Sequence, residues 1–384
     1  MDLSSLRIAL FSGNYNFVKD GANQALNRLV GYLLRQGAAV RVYSPTTDHP
    51  AFPATGDLVS VPSVPLPGRE EYRFAFGIMP AAKRDLRRFA PNIVHVSAPE
   101  MLGHRAVSWA RWHDLPIVAS VHTRFETYPR YYNLAFLEPV MLAILRRFYR
   151  RCDALVAPSD SFAQILREQR MNYDIGIWSR GLDHELWNPG RRDLEWRRAQ
   201  GIADDEVVIG FLGRIVMEKG LDVFAEAVER LTQKHIKHRV LIVGEGPARD
   251  WFQRRLPDAV FTGFQMGPDL ARAVAGMDIF LNPSVTETFG NVSLESMACG
   301  IPVVAARAAG SEDIVQDGVT GLLVRPGAIE GYANALARLA TDHDFRARMG
   351  QAGIAEAAKY EWDRINAAVA ETYLRVIRNR QTRL

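Results

Sequence analysis

The sequence predicts an α/β protein of two domains, each a parallel sheet covered by helices. Three observations lead there. The chain has 384 residues, more than one hydrophobic core usually organises. Short β-branched runs alternate with longer amphipathic stretches along nearly its whole length, which is how helix-covered parallel strands read. A Gly- and Pro-containing stretch, 181–190, interrupts that alternation near the middle and reads as the interdomain crossing.

In the first domain, expected as residues 1–185, strands are predicted at Ile8–Ser12, Val40–Ser44, Ile93–Ser97, Pro116–Val121 and Ala154–Ser159. Between the first two, Ala22, Ala25, Leu26, Leu29 and Leu33 recur at helical spacing and Gly37 supplies a C-cap. In the second, 186–360, strands are predicted at Val207–Leu212, Val240–Val243, Val260–Thr262, Met277–Asn282 and Pro302–Ala306, with an edge strand at Leu322–Val324. Residues 361–384 read as one more amphipathic helix, ending in basic residues and lacking a strand partner.

Composition narrows the class. Hydrophobic residues make up 48% and charged residues 23%, as in folded globular proteins. Cys152 and Cys299 are the only cysteines, too few for a disulfide scaffold or metal cluster. The apolar run after Met1 is short for a leader and no stretch has the length of a membrane span, so a cytoplasmic chain is expected. A net charge of +4 permits attraction to phosphates or anionic lipid, and it is the only feature favouring nucleic acid. Gly13-Asn14-Tyr15-Asn16 lacks the glycine spacing of a dinucleotide turn, which argues against a NAD-dependent dehydrogenase.

Ligands of open α/β sheets bind beyond the carboxyl ends of strands, and four loops of the second half lie there. In the first, Gly213 and Gly220 permit close backbone approach, while Arg214 and Lys219 suit a pyrophosphate; two solvated surface charges are the alternative. The second, Gly244-Glu245-Gly246-Pro247, leaves room for a ligand against the backbone. In the third, a helix starting near Gly290 or Asn291 would present the amides of Phe289, Gly290 and Asn291 to sugar hydroxyls or phosphate, with Glu287 before the helix and Glu295 one turn inside. Those acids read equally well as a helix-dipole partner and a solvated helix residue. The fourth, Ala309–Val315, has a supporting role.

These features together resemble the family-4 retaining glycosyltransferases of the GT-B fold, in which two Rossmann-like domains face each other across a cleft. The resemblance covers essentially the whole chain. It rests on Glu287 and Glu295 separated by seven residues and followed by Met297-Ala298-Cys299-Gly300-Ile301-Pro302-Val303-Val304, and on Gly213-Arg214 with Lys219-Gly220. It implies that Arg214 and Lys219 neutralise the donor diphosphate without a metal, Glu295 binds the ribose hydroxyls, Glu287 faces the transferred sugar, and the C-terminal helix crosses back to the first domain. Gly21 falls where the family has a glycine-rich loop, although Ala22 and Asn23 depart from its second glycine. His122, which by pattern alone reads as a structural residue, matches the family histidine beside the sugar. No cofactor is implied beyond a UDP- or GDP-sugar.

The stretch His122–Tyr132 resembles a subgroup acting on lipids, including bacterial glycolipid mannosyl-, glucosyl- and sulfoquinovosyl-type transferases. Arg124 and Tyr128 are its acceptor-side candidates. Arg124 suits an anion on donor or acceptor, or else an ion pair with Glu126. Arg146, Arg147, Arg150 and Arg151, with no acid among them, suit the anionic inner face of the cytoplasmic membrane; Lys83–Arg88 is a second basic cluster that reads as readily as a solvated face. The remaining alternatives are a nucleotide-sugar epimerase of the same architecture and transfer to a polysaccharide or soluble acceptor.

Overall fold

The computed structural model describes residues 2–18, 21–66, 69–125 and 135–382. The chain divides into two compact units, Met1–Arg180 with Trp362–Leu384, and Gly181–Glu361. The division after Arg180 falls at the start of the 181–190 stretch, and the last helix is grouped with the first unit.

In the first unit the strands are β1 (Arg7–Phe11), β2 (Ala39–Ser44), β3 (Asp57–Ser60), β4 (Ser63–Leu66), β5 (Arg69–Ala75), β6 (Ile93–Val96), β7 (Ile117–Ser120), β8 (Ala154–Ala157) and β9 (Ile175–Ile177). Seven form a parallel sheet in the order β3-β2-β1-β6-β7-β8-β9, and β4 pairs with β5 as a separate antiparallel hairpin. The helices are α1 (Gly21–Arg35), α2 (Pro80–Phe89), α3 (Met101–Trp112), α4 (Glu138–Tyr149) and α5 (Asp160–Glu168). All five expected strands are present. β6, β7 and β8 are buried at every position, as strands covered on both faces must be. The sequence reading missed β3 and β9, which are short sheet edges, and the β4–β5 hairpin, which stands outside the strand–helix alternation.

α1 ends as its sequence predicts. Gly37 is left-handed with φ 83°, its N–H donates to Leu34 O, and the Ala38 N–H reaches back to Leu33 O, both at 3.0 Å. Together these bonds satisfy two carbonyls at the helix end.

In the second unit β10 (Val208–Leu212), β11 (Arg239–Val243), β12 (Val260–Gly263), β13 (Ile279–Asn282), β14 (Val303–Ala306) and β15 (Gly321–Val324) form a parallel sheet in the order β12-β11-β10-β13-β14-β15. α6 (Leu221–Gln233) follows β10 and α7 (Asn291–Ala298) follows β13. Two apolar clusters, one around Val243, Phe280 and Val303 and one around Phe211, Phe224 and Phe252, pack on the sheet.

The last helix, α8 (Trp362–Gln381), buries Ile365, Val369, Tyr373 and Val376. Asn366 accepts from the Trp178 indole at 3.2 Å, and Arg380 donates to Asp153. These contacts cover the β8–β9 side of the first sheet.

Candidate active site

Strand order reverses between β10 and β13 in the second unit, and such a reversal opens a crevice at the carboxyl ends of the strands. The loops leaving these two strands carry Arg214, Lys219 and Glu287. They touch directly: a β-carbon on Gly220 would lie 3.0 Å from Pro283 O, and Gly220 is left-handed with φ 72°. Glycine there lets α6 start hard against the β13 loop.

Lys219 Nζ lies 2.6 Å from Glu287 Oε1, the two side chains being 30% and 16% exposed. One ammonium donor is engaged by Glu287, and the group has three, so it can hold a second anion as well. Arg214 is exposed and makes no ion pair among the described residues. The structure therefore joins two of the residues singled out in the sequence and leaves a guanidinium on the same loop able to meet phosphate oxygens.

α7 starts at Asn291 after a left-handed Gly290, φ 87°. Its orientation is pinned on two sides. Asn282 at the end of β13 donates to Ser293 Oγ at 3.2 Å, and a β-carbon on Gly310 would lie 2.8 Å from Glu287 O and 3.0 Å from Phe289 N. The fourth loop thus braces the third through backbone contact. The Phe289 ring is buried against Tyr360, centroids 5.9 Å apart, so that residue has only its backbone to offer a ligand. Asn291 Oδ1 is a buried acceptor with no partner among the described residues, which leaves it able to accept from a hydroxyl or a water. Glu295 is half-buried, and burial pushes its carboxyl up to about 8, because the charged form loses water without gaining a cation.

The reading of Gly244 needs correction. Its φ is 138°, and a β-carbon there would lie 2.0 Å from Gly213 O; Gly246 is likewise filled by Ile215 O at 2.3 Å. The room that these glycines leave is occupied by the neighbouring loop, whose Gly213 N–H donates to Val243 O at 3.1 Å. Gly213 and Gly244 hold the Arg214 loop in place through their own packing.

The first unit has the same reversal, between β1 and β6. Gly21 opens α1 and is exposed, while Tyr128 and Glu126 lie outside the described residues. The amide of Gly13, after β1, donates to the Glu100 carboxylate, and burial raises that carboxyl to about 7. Glu100 Oε2 would be 1.8 Å from a Gly13 β-carbon. The amide that follows β1 is thus engaged by the protein's own acid. Sequence reasoning missed Glu100, although an acid between β6 and α3, immediately before the helix, was a visible sign.

His122 follows β7. Arg180 Nη2 donates to its Nδ1 at 2.9 Å, and the Trp178 ring lies edge-on with centroids 5.1 Å apart. Burial, the Arg180 charge and His95 together hold His122 well below the ordinary imidazole range. Arg124 is partly exposed in the same loop. Arg180 and Trp178 were also missed, because they precede the Gly181 crossing and read as linker.

The basic quartet at the end of α4 and just beyond it is split. Arg146 Nε donates to Gln169 O at 2.9 Å and Arg151 Nη2 to Ser108 Oγ at 2.8 Å, so both serve the unit's own packing. Arg147 and Arg150 are exposed, alongside Phe136 at 72%, Val140 at 56% and Ile144 at 49% exposure.

The chain resembles known proteins over most of its length. Residues 19–186 match the family described as Glycosyltransferase Family 4, and residues 206–342 match Glycosyl transferases group 1. The chain is 31% identical over 368 residues to sulfoquinovosyl transferase SQD2 of Arabidopsis thaliana, covering 93% of this chain and 71% of that protein. It is 31% identical to a GDP-mannose-dependent alpha-mannosyltransferase of Mycolicibacterium smegmatis, covering 86% and 87%, and 25% identical to alpha-monoglucosyldiacylglycerol synthase of Streptococcus pneumoniae, covering 83% and 75%. Among solved structures, sucrose-phosphate synthase from Thermosynechococcus elongatus superposes with a TM-score of 0.75 at 20% identity, covering 97% of this chain and 99% of that one. WaaG, a glycosyltransferase involved in lipopolysaccharide biosynthesis, gives 0.69 at 19%, covering 95% and 99%. The chain is a glycosyltransferase and belongs to family 4 of the GT-B fold.

Proposed function

We propose that this enzyme transfers a hexose or hexuronic-type sugar from a UDP- or GDP-sugar to a membrane lipid acceptor, with retention of anomeric configuration. The observation that carries the donor side is the placement of Arg214 and the Lys219–Glu287 pair on the two loops that flank the strand reversal of the second unit. Breaking the anomeric bond leaves negative charge on the diphosphate, and fixed cations aimed at it favour the transition state over the ground state. Arg214 and Lys219 do this in place of a metal. Asn291 Oδ1 and the first amides of α7 receive and donate hydrogen bonds to the sugar, Glu287 orients it, and Glu295 takes the ribose hydroxyls. In same-face attack the departing phosphate accepts the acceptor proton, and His122 takes the sugar-facing role that its match to the family histidine implies.

Two observations favour a lipid. The relatives include a sulfoquinovosyl transferase and a monoglucosyldiacylglycerol synthase. The exposed face of α4 and the turn before it combines Phe136, Val140 and Ile144 with Arg147 and Arg150, the mixture that lies at an anionic bilayer surface. In this reading that basic and apolar face attaches the enzyme peripherally to the inner face of the cytoplasmic membrane; no helix among the described residues is long and apolar enough to cross a membrane. Arg124 recognises an anionic group of donor or acceptor.

The test is a panel of UDP- and GDP-sugars incubated with membrane lipid extract, the products being identified by mass spectrometry and anomeric NMR. A lipid-linked α-glycoside from an α-linked donor is expected. An epimerised nucleotide sugar, an inverted product, or glycosylation of soluble acceptors alone would overturn the proposal.

A further inference from the structure

We infer that Arg180 is a positioning residue: its hydrogen bond to Nδ1 fixes His122 as the neutral tautomer with the proton on Nε2, which makes His122 a hydrogen-bond donor to the transferred sugar and not a base. The role at the sugar rests on the functional reading above; the tautomer rests on geometry alone.

A guanidinium has donors and no acceptor. The Arg180 Nη2 to His122 Nδ1 contact of 2.9 Å therefore requires a lone pair on Nδ1, and a neutral imidazole then carries its proton on Nε2. This polarity is opposite to that of a histidine general base, whose Nδ1–H is oriented by a carboxylate or carbonyl so that Nε2 stays open to accept.

Arg180 is itself held. It is 7% exposed, Nη1 donates to Trp178 O at 3.3 Å, and the guanidinium lies 5.5 Å from the centre of the Trp178 ring. That ring is fixed by its indole bond to Asn366 of α8 and stands edge-on to both His95 and His122. His95, from β6, is bonded to Tyr373 of α8 and to Ser120 of β7, and burial drops its pKa to about 3, so it faces His122 as a neutral ring. Arg124 is the nearest charged residue on the His122 loop. Among the described residues, Arg180 and His95 act on the His122 charge, and neither favours an imidazolium.

The lock has a chemical consequence. With Nδ1 engaged and Nε2 protonated, His122 cannot take the acceptor hydroxyl proton. The acceptor O–H bond breaks as its oxygen bonds to the anomeric carbon, the anomeric C–O bond to the diphosphate breaks, and the proton ends on a diphosphate oxygen.

The test is nitrogen NMR of the full-length protein labelled with 15N-histidine, with the His122 signals identified by their loss in His122→Gln. A protonated Nε2 and an unprotonated Nδ1 are expected from about pH 5.5 to 8, the span in which an ordinary imidazole titrates. In Arg180→Met the ring should populate both tautomers, with an Nδ1–H signal appearing, and Arg180→Lys, whose ammonium also only donates, should restore the Nε2–H form. Transfer by Arg180→Met should fall about tenfold, the size of one lost hydrogen bond, and Arg180→Lys should recover it. A wild-type Nδ1–H signal, or a wild-type ring titrating in this window, overturns the inference even where Arg180→Met does not fold; an unchanged spectrum in Arg180→Met overturns it too. Full transfer by His122→Ala would overturn the placement of His122 at the sugar and leave the tautomer lock standing.

Discussion

Replacing Glu295 by Gln tests the site through stability as well as binding. The carboxyl of Glu295 is pushed from 4.5 to about 8 by burial, so between those values the folded protein holds a proton that the unfolded chain releases. Stability then falls as pH rises through that interval: the group costs nothing below about pH 4.5 and its full penalty is present above about pH 8. At about 1.4 kcal/mol per pH unit the interval bounds the effect at about 5 kcal/mol, and partial exposure of the residue brings the expected value to about 2 kcal/mol. Urea unfolding at pH 5, 7 and 9, followed by tryptophan fluorescence, should show Glu295→Gln indistinguishable from wild type at pH 5 and more stable at pH 9. A ribose diol that donates to the carboxylate favours its charged form, so nucleotide binding near pH 7 should release a proton. Calorimetry in buffers of different ionisation enthalpy reads that release, and Glu295→Gln should abolish it. Parallel pH–stability curves for the two proteins would refute the burial argument, and equal proton release would refute the assignment of the ribose to Glu295.

Four further outcomes follow from the geometry. Gly244→Ala places a β-carbon 2.0 Å from a backbone carbonyl at φ 138°, where neither atom can yield, and should cost about 3 kcal/mol or more in thermal unfolding. Gly13→Ala displaces the Glu100 carboxylate, the movable end of a side chain; a cost of about 1–3 kcal/mol should shrink in an Glu100→Ala background, and additive losses in the double-mutant cycle would deny the contact. Lys219→Met removes the Glu287 partner and a diphosphate cation, and should lower kcat/KM for the donor about 100-fold, measured by nucleotide release with saturating acceptor. Charge reversal of Arg147 and Arg150 should weaken sedimentation with anionic vesicles by about tenfold or more, at about 1 kcal/mol per basic residue, and leave binding to neutral vesicles unchanged.

Much of the fold was legible because its signals are local. Buried parallel strands are continuous apolar runs, and all ten expected main strands occupy β1, β2, β6–β8 and β10–β14. α1 has both its apolar spacing and its terminal Gly37 in the sequence. The edges were not legible: β9 is three residues, Ile175–Ile177, and becomes a strand only because β8 offers it a partner. In the candidate site, the start of α7 was legible near Gly290 or Asn291, and the helix begins at Asn291. The pairing of Lys219 with Glu287 was not legible, since 68 residues separate them and only the adjacency of β10 and β13 brings their loops together.

The sequence by itself determined the class of the protein: two helix-covered parallel sheets, loops with cations and acids beyond the strand ends, and the spaced residues that mark a family-4 glycosyltransferase. Those properties are carried by residue type and short-range spacing. Tertiary structure decided what the same residue types do. It turned Gly244 from ligand room into loop packing, took Arg146 and Arg151 out of the exposed basic face, set Glu100 against Gly13, and placed Arg180 on His122. Each depends on which strand ends become neighbours, and strand order is a property of the closed sheet that no local stretch of sequence contains.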